Sequence, residues 1–231
     1  VHLLCFDTAT PRVSVALGAD GTAVGEVQLA HGRRHAEQLV PAIGYLCDEL
    51  RVEPSQLAGI GVGLGPGLFT GLRVGVTTAK VMAQALRIPV VGVPSLDLIA
   101  YPLRHSARLV VTVVDARRHE VFYALYRPVP GGVQRVSEYE VATPDDLVGE
   151  LAAHGGELLL AGDGALLHRD VFEGLEKAEL AGPASASPNA AALVELATAR
   201  FEREEFCAPS DLRPLYLRRS DAEIEWDRRD R

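Results

Sequence analysis

Three stretches of this chain carry residue types capable of chemistry. The first is Gly61-Val62-Gly63-Leu64-Gly65-Pro66-Gly67, glycine-dense between an apolar run and a helical pattern. Backbone N–H groups at such a helix start favour anions. Yet Leu68-Phe69-Thr70 follow where a phosphate loop needs Lys and then Ser or Thr. A tight turn that lets a helix approach a sheet closely is the preferred reading. The second is His31 with His35, four residues apart. Gly32 argues against one helix carrying both, and no third ligand accompanies them, so no metal is expected. The third is Asp115-Ala116-Arg117-Arg118-His119-Glu120, polar enough for a site and equally suited to a charged hairpin turn. No Ser-His-Asp or Cys-His arrangement stands out. Cys5, Cys47 and Cys207 are odd in number and lack CxxC spacing; Cys5 and Cys47 sit in apolar patterns and read as small core residues. That usage fits a reducing, cytoplasmic setting.

The elements that must position these residues follow from periodicity. Residues 2–7 are an apolar run that ends at an acid, residues 13–17 alternate as a second strand, and Ala19-Asp20-Gly21 is a hairpin turn leading to a third strand over residues 22–29. Ala36, Leu39, Val40, Ile43, Leu46, Cys47 and Leu50 recur at helical spacing, predicting a helix over residues 34–50. Pro41 removes one backbone donor there, predicting a kink or a late start. Residues 58–64 form a strand, and a second helix runs from Thr70, its expected cap, to Leu86. Residues 88–93 form a strand and Pro94 opens a third, short helix. A second copy of this βββαβαβα order starts at Leu109, with strands at 109–114, 120–126, 135–141 and 158–161 and helices at 144–153 and 188–204. The expected units are residues 1–104, 105–219 and a charged tail, 220–231, that is expected to fray, with Trp226 in it.

Within the second helix, Gly71, Gly75, Thr78, Ala79 and Met82 line one strip. Glycine inside a helix costs about 1 kcal/mol relative to alanine, so two of them imply a close neighbour, internal or on another chain. Lys+Arg 23 against Asp+Glu 31 gives a net charge of −8, which disfavours tight independent binding of a phosphate backbone. No window of about 18 apolar residues offers a membrane span. The opening residues lack a basic leader, so no signal peptide is expected.

Beyond these patterns lies a resemblance. Phe6-Asp7-Thr8-Ala9-Thr10, Arg34-His35-Ala36-Glu37-Gln38-Leu39-Val40-Pro41 and Gly65-Pro66-Gly67-Leu68-Phe69-Thr70-Gly71-Leu72-Arg73-Val74-Gly75 resemble the TsaB/YeaZ family in order and spacing. Asp115-Ala116-Arg117-Arg118-His119-Glu120 and the late Tyr216-Leu217-Arg218 continue the match. The resemblance implies an α/β fold of two lobes, the actin-like ATPase and sugar-kinase (ASKHA, ribonuclease H-like) fold, with duplicated βββαβαβα units and a degenerate second copy. It implies a non-catalytic paralogue of TsaD, the transferase that places a threonylcarbamoyl group on the tRNA adenosine next to the anticodon. TsaD-like and TsaE-like (ATPase) chains are the implied partners, with a homodimer when the chain is alone and tRNA reached only through the complex. No cofactor is implied for the isolated chain, and ATP or ADP only in complex with TsaD and TsaE.

The sequence supports the silent part of that resemblance. Ser95 and Ile99 stand at the two positions of the metal-binding His-x-x-x-His of TsaD-like enzymes, and Ile99 cannot ligate. Ala116 and Arg117 replace glycines of the enzyme's second phosphate loop, blocking close backbone approach. The rival readings are an ATP-dependent kinase or ATPase of the same fold, and a glycoprotease-like metallopeptidase that would need the histidine pair. The expected docking face joins Leu39, Ile43 and Leu46 of the first helix to Gly71, Arg73, Gly75, Thr78 and Met82 of the second.

Overall fold

The computed structural model describes residues 1–30, 32 and 34–218. β1 (His2–Asp7), β2 (Val13–Ala19) and β3 (Thr22–Leu29) form an antiparallel meander. Asp20 and Gly21, both at positive φ, make its tight turn. α1 (His35–Leu50), β4 (Leu57–Gly63), α2 (Phe69–Leu86), β5 (Val90–Val93) and α3 (Ser95–Ala100) follow. β4 and β5 add in parallel beside β1, giving a five-stranded sheet of order β3-β2-β1-β4-β5.

The same plan repeats with β6 (Leu109–Arg117), β7 (Glu120–Val129), β8 (Gly132–Arg135), β9 (Glu140–Ala142), α4 (Pro144–Ala152), β10 (Leu158–Ala161), α5 (Asp163–Leu167), α6 (Arg169–Phe172), β11 (Ala178–Leu180) and α7 (Ala190–Glu202). Its sheet order, β11-β10-β6-β7-β8, mirrors the first, with β9 also paired to β7. The duplication expected from element order is therefore present in the strand order.

Period-two alternation divides each central strand between two cores. Leu4 and Phe6 of β1 face α1 and α2, whereas Leu3 and Cys5 face α7. Val121, Tyr123 and Leu125 of β7 face α4 and α6, whereas Phe122, Ala124 and Tyr126 face α3. The result is helices, sheet, helices, sheet, helices. A partition at residue 104 follows chain order, but packing crosses it: Ala190, Leu193, Val194 and Ala197 of α7 are buried against the first sheet.

Three local expectations change. α1 begins at His35, so Pro41 sits inside the helix and does not delay its start. Thr70 is not the cap of α2: the cap position is Leu68, without a side-chain cap bond, and its amide donates instead to Ala9 O at 2.7 Å. The strand expected over residues 135–141 is broken into β8 and β9, because Ser137 Oγ accepts from the Leu125 amide at 3.0 Å and interrupts the ladder. α5, α6 and β11 have no counterpart in the sequence reading. The tail and Trp226 lie outside the described residues, as does His31.

Candidate functional site

The carboxyl ends of parallel strands are where open α/β sheets hold ligands. In the first sheet that edge carries Asp7, Gly63, Gly65 and Ser95. Asp7 is buried at the end of β1, and Ser95 is buried at the start of α3. The Gly65 amide donates to Ser95 Oγ (3.0 Å), Ser95 Oγ donates to Asp7 Oδ2 (2.5 Å), and the Ala9 amide donates to Asp7 Oδ1 (2.8 Å). Burial raises the Asp7 carboxyl, while Ser95 and the Ala9 amide pull it back down. Thr8 Oγ1 donates to Gly71 O at 2.7 Å, and His35 Nε2 lies 2.7 Å from Thr10 O. His35 thus ties α1 to the loop after β1. Among the described residues, no group of three or more His, Cys, Asp or Glu side chains is placed to hold a metal ion. This cluster is self-satisfied: its donors and acceptors meet each other.

The turn after β6 is the second sheet's counterpart. Arg117, Arg118 and His119 all have positive φ, which is costly for residues with a Cβ. Asp115 Oδ1 accepts from the Arg117 amide at 2.8 Å, and its Oδ2 pairs with the Arg117 guanidinium at 2.9 Å. Asp163 Oδ1 accepts from the Asp115 amide at 3.0 Å. Burial pushes the Asp163 carboxyl up to about 6. A carboxyl raised in the folded state holds its proton better than the unfolded chain does. Its favourable contribution is present below pH 4 and is lost as the pH rises from 4 to 6. Asp163→Asn keeps the acceptor for the Asp115 amide and removes this charge. The variant is expected to gain about 1–3 kcal/mol over the native chain at pH 7, with no gain near pH 3.5. Urea unfolding across that range checks it, and a gain independent of pH would contradict it.

The α1 and α2 residues expected at a docking face divide differently. Leu39, Ile43 and Leu46 are buried in the core beneath the first sheet. Gly71 and Gly75 are buried too: a Cβ on Gly71 would stand 2.1 Å from Thr8 O, and one on Gly75 2.3 Å from Thr8 Oγ1. The neighbour that these small residues admit is internal, the loop after β1, so they form no open groove. Thr78 and Met82 are half-buried and Arg73 is exposed. Pro41 and Thr70 are exposed, Gly65 and Pro66 buried, and Gly67 packs on Ala9, where a Cβ would meet Ala9 O at 2.2 Å. Phe69 stacks on Tyr216, with ring centroids 5.1 Å apart, and Arg73 lies over the Phe69 ring at 4.0 Å. Glu120 pairs with Arg218.

What does lie open is a strip beside that buried stripe on the same helices. Val40 is 60% exposed, Tyr45 56% and Val81 60%. A groove of about 750 Å³ runs between α1 and α2, lined by Val40, Ile43, Gly44, Thr77, Thr78, Val81 and Met82, so that Ile43, Thr78 and Met82 of the expected face do border it. Sequence reasoning missed Val40, Gly44, Thr77 and Val81 as part of it. The available signal was phase: Tyr45 and Val81 are large apolar residues off the buried stripe of their helices.

Two duplicated sheets with interleaved helices define the actin-like ATPase and sugar-kinase class. In keeping with this, component A of (R)-2-hydroxyglutaryl-CoA dehydratase from Acidaminococcus fermentans superposes with a TM-score of 0.51 at 11% identity, over 86% of this chain and 99% of that one; the likeness concerns the fold alone. The family model for TsaD, tRNA N6-adenosine threonylcarbamoyltransferase, matches residues 28–226. The tRNA threonylcarbamoyladenosine biosynthesis protein TsaB of Bacillus subtilis is 30% identical over 226 residues, 97% of each chain. The solved structure of YeaZ from Pseudomonas aeruginosa has a TM-score of 0.79 and 29% identity, covering 94% of this chain and 99% of that one. This chain belongs to the TsaB/YeaZ family.

Proposed function

We propose that this chain is a non-catalytic subunit in tRNA threonylcarbamoyladenosine biosynthesis, supporting a TsaD-type transferase by docking against it. The single observation that carries the reading is a contrast between two places. The ligand edge of the first sheet is closed by its own hydrogen bonds, from the Gly65 amide to Ser95 Oγ and from Ser95 Oγ to the Asp7 carboxylate. The outer face of α1 and α2 instead presents an open groove edged by the exposed side chains of Val40 and Val81. Membership of the family supports a TsaD-type chain as the partner. ATP or ADP then binds only once TsaD-type and TsaE-type chains are assembled, and the acidic chain meets tRNA only through them. Alone, the same face pairs with a second copy in a two-fold dimer. The setting for such a complex is the cytoplasm.

Val40→Asp with Val81→Asp tests this, since both side chains are exposed and the fold tolerates the change. Each places a charge at the centre of a desolvated contact, where single side chains are worth 2 kcal/mol or more. Association with the co-expressed TsaD-type chain is expected to weaken by roughly 30-fold or more, and modified adenosine in tRNA should fall with it. The chain assayed alone should show no ATP hydrolysis. Undiminished association would place the docking face elsewhere.

A further inference from the structure

The chain's last described segment does not lie on the surface of one half. Cys207 makes an antiparallel bridge with Val90 along the free edge of β5, through hydrogen bonds of 2.9 and 3.2 Å. Leu212 is then buried in the core under α1 and α2. From there the backbone crosses the carboxyl end of β4, where the Leu215 amide donates to Leu64 O at 2.8 Å. Tyr216 stacks on Phe69, Leu217 packs into the core between α3 and the second sheet, and Arg218 pairs with Glu120 at the start of β7. In the strand register Glu120 lies opposite Arg117, the last residue of β6.

Residues 215 and 218 therefore bind the ligand-side turns of two different sheets. Three residues of chain span at most about 10 Å, so this segment sets an upper bound on how far those two turns can separate. It also fills space. The carbonyl of Leu215 lies 3.3 Å from where a Cβ of Gly65 would stand, so backbone sits against the glycine turn itself. Open α/β folds admit their ligands at this edge, outside the carboxyl ends of the strands.

We propose that residues 215–218 are a strap that closes the crevice between the two sheets. The chain's own backbone and the Leu217 side chain occupy the place at which this class of fold admits a ligand. While the strap is seated the two halves are held at one spacing, and its release lets them part.

The full chain with Cys207→Ser, spin-labelled at cysteines replacing the exposed Glu49 and Glu176, reports the spacing of the halves. Arg218→Ala removes the tie to the second sheet, and Leu215→Pro independently removes the amide that ties the strap to Leu64. Both are expected to broaden the distance distribution toward longer values. In Arg218→Ala, hydrogen exchange of the amides of residues 215–218 should speed by about tenfold or more, and Glu120→Ala should do the same. Unchanged exchange at Leu215 in Arg218→Ala overturns the strap, as does a distance distribution that stays narrow once protection is lost. Near-UV circular dichroism like that of the parent identifies the variants that remain folded, and Arg218→Ala and Glu120→Ala change only partly exposed side chains.

Discussion

Asp7→Ala is expected to lower global stability by about 3–5 kcal/mol, because it breaks a buried hydrogen-bonded hub. Asp7 accepts from Ser95 Oγ through one oxygen and from the Ala9 amide through the other. With the carboxyl gone, both donors stay buried without a partner, at about 1–3 kcal/mol each, and a small void adds to the loss. For a chain of this length the melting temperature should drop by roughly 10 °C. Asp7→Asn keeps an acceptor for one of the two donors and should lose less than half as much. Thermal and urea unfolding of the two variants make the comparison. A loss under about 1 kcal/mol in Asp7→Ala would mean that water reaches the cluster, and that the first sheet's ligand edge is not closed.

Gly75→Leu is expected to cost about 3 kcal/mol or more by overpacking, lowering the melting temperature by about 6–12 °C. The position of its first added atom, 2.3 Å from Thr8 Oγ1, is inside the contact distance of any pair of heavy atoms. One turn earlier on the helix, Thr8 Oγ1 donates to Gly71 O, so α2 cannot slide away without losing that bond. Any loss of partner association in this variant would follow from unfolding, not from a filled docking groove. Val81→Asp, on the same helix but 60% exposed, should change stability by no more than about 0.5 kcal/mol. The two variants together separate fold from docking, and native stability in Gly75→Leu would show that α2 does not lie against the loop after β1.

Much of the fold is legible in the residues. The apolar run of β1, the alternation in β2, the Ala19-Asp20-Gly21 turn and the helical spacing of Leu39, Ile43 and Leu46 are local patterns, and the elements formed where those patterns ran. The candidate site was legible only in part. Asp7 and His35 were marked through the family motif, and the structure makes both into ties across the first core. Ser95 was noted for the histidine it replaces, and its bond to Asp7 spans 88 residues of chain, which no local pattern carries. Asp163 is in the same position: its contact with the Asp115 amide exists only because β10 lies beside β6.

The sequence by itself determined the order of elements in the first half, the duplication and the family, because each of these is written in spacing along the chain. Tertiary structure alone decided which way the helices face. A strip of small residues such as Gly71 and Gly75 announces that something comes close, but its identity depends on how the loop after β1 folds back. The Ala-rich α7 has little preferred face of its own. It crosses to the first sheet because Leu3, Cys5 and Ala16 need cover there. Burial is a property of both partners in a contact, and the second partner is distant in sequence. That is why buried residues such as Leu39, Gly71 and Gly75 read as an interface, while the exposed edges of the groove at Val40 and Val81 emerged only from the folded chain.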